Sequence, residues 1–164
     1  MKTKKNAGFS LVELIVVIAI MAVLVGVLAP AYLKYVEKSR KSTDVSAVAD
    51  IITAASTVAA DVEFDIPANS EFVASIDNAG KITLQCKAYS ATLTVDASAT
   101  SGWKSVAKCE NGYTCKSKEF KAGGQGSITG TVQNNGSVDW ALPTAAGTFK
   151  AMVDYSKDLK SKFE

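Results

Sequence analysis

The chain has 164 residues, enough for one domain plus a long helix, and its 18 Lys and Arg nearly balance 16 Asp and Glu. It contains no histidine, which removes the commonest general base and metal ligand, and its three cysteines lack C-x-x-C or other paired zinc spacing. A net charge of +2 gives no basic footprint for nucleic acid, and no set of nucleophile, base and orienting group can be assembled, so neither an enzyme nor a cofactor or metal is expected.

Lys2, Lys4 and Lys5 lead into Gly8-Phe9-Ser10-Leu11-Val12-Glu13, and residues 14 to 33 follow without a charge. Those 20 residues would span about 30 Å as a helix, the thickness of a bilayer's hydrocarbon core. Glu13 sits at the mouth of this stretch, where a carboxylate is costly and normally serves a partner. An ordinary secretory signal would end at Ala29-Pro30-Ala31, but a signal core runs only about 7 to 15 residues and tolerates an acid poorly. A plain single-span anchor is the other simple reading. Loop charge does not orient the span, because Lys34, Lys38, Arg40 and Lys41 beyond it rival the leader lysines.

A short basic leader ending in glycine, then Phe9, an acid four residues later and a long apolar helix resembles the type IV prepilin family over residues 2 to about 32. The resemblance implies a leader of residues 1 to 8, cleavage between Gly8 and Phe9 by a prepilin peptidase, N-methylation of Phe9, and a subunit-docking role for Glu13 with the Phe9 amine of a neighbour. It places the leader in the cytoplasm and the head outside: a single-pass precursor in the cytoplasmic (inner) membrane, then an extracellular surface pilus. Assembly would take a platform membrane protein and a motor ATPase, and the product would be a helical homopolymer serving adhesion, twitching motility or biofilm formation. Pro30 stands where many members carry a helix-distorting proline; it has no N–H for the Gly26 carbonyl, and Gly26 adds freedom at that turn. Asp50 stands where many members have a second proline, and the frequent carboxy-terminal disulfide loop is not evident. Within the class, a pseudopilin of a type II secretion or competence (DNA uptake) system shares the same amino terminus; a secreted or membrane-anchored binding domain is the more distant alternative. A head of roughly 100 residues is more than a minimal piston subunit needs, which favours the pilin.

Residues 9 to 33 are thus expected as membrane and filament-core helix, and residues 34 to 62 as its amphipathic half. Val45, Val48, Ile52, Ala55, Ala59 and Val62 recur at three and four, with Asp44, Ser46, Asp50 and Thr57 off that face. Residues 63 to 80 read as a connecting loop, with a short helix carrying Phe72 and Ile76 capped by Asn69 or Ser70. Asp61, Glu63 and Asp65 alternate but lack the glycine and bidentate glutamate of a calcium loop.

Residues 81 to 164 read as an antiparallel sheet head with a carboxy-terminal helical segment, making an α+β chain: a long amino-terminal helix on a small sheet, the type IV pilin fold. Ile82, Leu84 and Cys86 alternate as in a strand, and Leu93 with Val95 starts another. Asn111-Gly112 predicts a hairpin pairing Trp103 with Phe120 and Lys104 with Glu119. That register points Cys109 and Cys115 to opposite faces, so either both are free or one bonds Cys86. Asn134-Asn135-Gly136 predicts a second hairpin, and Phe149, Met152, Val153, Leu159 and Phe163 a last amphipathic helix.

Overall fold

The computed structural model describes residues 8–61, 66–87 and 112–163. The chain divides into an amino-terminal unit, Met1–Glu37, and a head unit, Lys38–Glu164. Helix α1 runs from Leu11 to Ala60 with Pro30 inside it. In the amino-terminal unit its apolar side chains are exposed on every side, Leu14 and Val23 by 63% and 68%, and the helix is long and apolar enough to cross a membrane.

In the head unit the same helix becomes one-sided. Val45, Val48, Ile51, Ile52, Ala55, Val58 and Ala59 are buried while Thr53 and Thr57 face water. This is the stripe expected from the spacing as far as Ala59, widened by Ile51 and Val58; Val62 lies outside the described residues. It lies in one core with the inner face of a five-stranded sheet. Strands β1 (Glu71–Ile76), β2 (Lys81–Lys87), β3 (Tyr113–Thr114), β4 (Gly126–Val132) and β5 (Val138–Trp140) are all antiparallel to their neighbours, in the order β3-β2-β1-β4-β5.

The central strand is β1, where a short helix was expected. Phe72 and Ile76 lie four apart, a spacing that satisfies a helix and a strand equally, but Ala74 between them is also buried while Val73 and Ser75 are only partly so. Ladders on both sides, Ala74 opposite Leu84 on β2 and Ile128 on β4, decide for the strand. The turn from β1 to β2 is built by Asp77, whose Oδ1 accepts the N–H of Ala79 (2.9 Å) and Lys81 (2.8 Å), with Gly80 at φ 76°. The predicted second hairpin is present. Gly136, φ 78°, occupies the matching position between β4 and β5, where the Gly136 N–H bonds the Gln133 carbonyl at 3.0 Å.

The predicted hairpin at Asn111-Gly112 does not extend to Phe120. Tyr113 and Thr114 pair with Ile82 and Lys81 of β2, after which the chain leaves the sheet. Ser117 then caps α2 (Lys118–Ala122), accepting the Phe120 N–H at 3.3 Å, and Phe120 is buried in that helix. Trp103, Lys104, Cys109 and the Leu93–Val95 strand lie outside the described residues. The carboxy-terminal helix is found in two pieces, α3 (Thr148–Tyr155) and α4 (Lys157–Lys160), with Ser156 in extended backbone between them, its hydroxyl accepting the Leu159 N–H. Phe149, Met152, Val153 and Leu159 are buried as expected, and Phe163 packs on the core.

Candidate functional site

Gly8, Phe9 and Ser10 precede the helix, and Phe9 is 96% exposed. Ser10 is the first capping residue. Its hydroxyl oxygen accepts the Val12 N–H at 3.3 Å, its carbonyl accepts the Leu14 N–H at 3.3 Å, and its own N–H donates to Oε2 of Glu13 at 2.9 Å. Ser10-Leu11-Val12-Glu13 is therefore a capping box, in which hydroxyl and carboxylate satisfy donors that a helix start leaves open. The Glu13 charge also sits at the favourable end of the helix dipole.

The Gly8–Phe9 bond thus lies two residues outside the helix, with nothing within 4 Å of where a Gly8 side chain would begin. Glu13 is placed four residues after Phe9 on the first turn, as the spacing implied, and its carboxylate already serves its own chain. That local role escaped the sequence reading, although Ser-x-x-Glu before an apolar run is its signal. Gly26 has open space around it, and Pro30 continues the helix.

The head holds a second polar centre. Asp44, placed off the apolar face by the sequence reading, is fully buried. Its Oδ1 accepts the Tyr113 hydroxyl at 2.6 Å and the Lys116 N–H at 2.8 Å; its Oδ2 accepts the Ser117 N–H at 2.7 Å and the Lys116 N–H at 3.0 Å. The missed signal is periodic: Asp44 lies one turn before Val48 and so on the same face as Ile51 and Ala55. Burial, followed by the hydrogen bond to the Asp44 carboxylate, pushes the Tyr113 phenol well above its ordinary value.

Next to this clasp, Lys41 pairs with Glu119 and lies 5.9 Å from the Phe120 ring centre and 5.6 Å from that of Tyr155. The two rings meet edge to face at 6.1 Å. Glu119, expected opposite Lys104 on a strand, instead reaches α1 from α2. Helix α2 is thus tied to α1 by the Asp44 acceptor set on one side and this cation on the other.

Cys86 and Cys115 are free thiols. Burial pushes Cys86 up to about 11 and, with the Asp44 charge adding, Cys115 up to about 12. Among the described residues, no group of three or more Cys, Asp or Glu side chains could hold a metal ion.

Residues 3–29 match the family model described as the prokaryotic N-terminal methylation motif. No curated protein and no solved structure matches the chain. The match covers the bond before Phe9, the Ser10–Glu13 cap and the apolar span through Ala29, and with the long helix and five-stranded antiparallel sheet, consistent with the type IV pilin fold, it marks this chain as carrying the type IV prepilin signature.

Proposed function

We propose that this chain is the major structural subunit of a type IV pilus; its abundance in surface filaments separates it from the pseudopilins that share its amino terminus. A prepilin peptidase cuts between Gly8 and Phe9 and the new amine is methylated. The mature helix waits in the membrane until a platform protein and motor ATPase draw it into a helical filament, whose core is residues 9 to 33 and whose surface is the head. The observation that carries the reading is the methylation motif at residues 3–29, lying on a helix with exposed apolar side chains all round. Such a surface needs lipid or copies of itself.

Glu13 then has two partners in succession. One oxygen holds the Ser10 N–H, and the carboxylate pairs with the Phe9 amine of a neighbouring subunit, fixing the axial offset between successive helices.

Purification of surface filaments tests the reading. Their bulk protein should be this chain, beginning at N-methylated Phe9. Processed chain confined to the membrane, with no surface filament, assigns it to a secretion or uptake piston; a mature chain beginning near Tyr32 assigns it to the secreted class.

A further inference from the structure

The head unit carries exposed lysines at its first residue and along its last helix. The Tyr155 hydroxyl at the end of α3 lies 3.5 Å from the Lys38 carbonyl of α1, and α4 begins two residues after Tyr155 in the chain. Leu159 is buried, which holds α4 against the core, while Lys157, Lys160 and Lys162 are exposed, as is Lys38. Glu119 is turned to Lys41 and Asp154 to Lys150, while Glu37 stands next to Lys38 and Asp158 next to Lys157 in the chain.

Reach decides what Lys38 meets. Lys38 is five residues beyond Leu33, the last residue of the uncharged run, and five residues span at most about 18 Å in any conformation. The headgroup layer is roughly 5 to 8 Å deep on each side, and a surface charge is felt for a further 8 to 10 Å or so in physiological salt. The tether therefore keeps Lys38 within range of lipid phosphates for as long as the span is in the bilayer.

We propose that Lys38, Lys157 and Lys162 form a docking surface for the anionic phosphate headgroups of the leaflet in which the precursor is anchored. The inference rests on the membrane-anchored reading above and adds a lipid class to it. The contact parks the head on the membrane before assembly, and extraction into a filament breaks it.

The test uses the full chain in nanodiscs of phosphatidylcholine alone or with about one third phosphatidylglycerol, acetylated with an N-hydroxysuccinimide ester and read by mass spectrometry. Relative to Lys81 and Lys87 on β2, Lys38, Lys157 and Lys162 should react about fivefold more slowly in the anionic discs, and the difference should close near 0.5 M salt, at roughly a 4 Å screening length. In the double variant Lys157→Glu and Lys162→Glu, Lys38 should lose most of its protection. Equal rates in the two lipids overturn the proposal, as does full Lys38 protection in the double variant. Protection by inorganic phosphate in phosphatidylcholine discs equal to that by the anionic lipid also overturns it. Failure of the chain to enter either disc sinks the membrane reading itself, whereas entry with equal rates sinks only the lipid contact.

Discussion

Asp44 is the head's most heavily bonded side chain in the described residues, accepting from one hydroxyl and two backbone amides. Asp44→Ala removes the acceptor shared by all three donors and strands the buried Ser117 N–H, and should destabilise the head by roughly 2 to 3 kcal/mol. Tyr113→Phe removes only one donor and should cost about 1 kcal/mol. Urea unfolding of the full chain in detergent micelles measures both; equal midpoints for the two variants would remove the clasp from the account. The thiols add a pH dependence of definite sign. Cys86 and Cys115 lie at about 11 and 12 when folded, above an ordinary 9.0, so the folded state favours their protonated forms. That contribution is complete below pH 9, falls as pH rises through 11 to 12, and has the same sign as that of Tyr113. Cys86→Ala should flatten the alkaline decline in urea midpoint, and an unchanged slope would assign the decline to other groups.

Among the elements, β4 packs closely against its edge neighbour β5 at Gly130. A Cβ on Gly130 would stand 2.6 Å from Val138 Cγ1 and 2.7 Å from Trp140 Cδ2, atoms of a short strand and a rigid ring that have little room to give. Gly130→Ala should therefore destabilise the head by about 1 to 3 kcal/mol, and Trp140 fluorescence during unfolding reads it directly. The elements that were legible in the sequence are those whose pattern admits one period. The α1 stripe, the alternation of Ile82, Leu84 and Cys86, the Asn135-Gly136 turn and the last amphipathic stretch were all readable. Strand β1 was not, because Phe72 and Ile76 fit both periods and the ladder that decides comes from β4, some 50 residues away. The segment after Gly112 failed differently. The Asn111-Gly112 turn and its register suggested a strand through Phe120, but Ser117 and the distant Asp44 carboxylate together capture the amides that a strand would have used. Of the amino-terminal site, the acid and the apolar span were legible in the sequence and the cleavage bond is what the family resemblance implies, while the cis partner of Glu13 needed the capping geometry.

For the whole molecule the question is what moves it from membrane to filament. Gly8→Val should leave full-length precursor in the membrane and no fibres, since small size at the cleavage position is what the proposed processing requires; immunoblot of membranes and sheared surface fractions checks it. Glu13 separates capping from docking. The carboxylate does two things that different substitutions pull apart: it accepts the Ser10 N–H, which an uncharged amide oxygen does as well, and it carries the charge that a neighbour's Phe9 amine would meet. Glu13→Gln therefore keeps the cap and loses the charge, whereas Glu13→Ala loses both. If Glu13 matters only to its own helix, Glu13→Gln should make normal fibres and Glu13→Ala fewer. If it docks a neighbour, both variants should be cleaved, remain in the membrane and fail to polymerise, because the uncompensated amine would cost about 3 to 5 kcal/mol in a dry helix bundle. Electron microscopy of a strain with no other copy distinguishes the two, and abundant fibres from Glu13→Gln would end the docking role while leaving the cap intact.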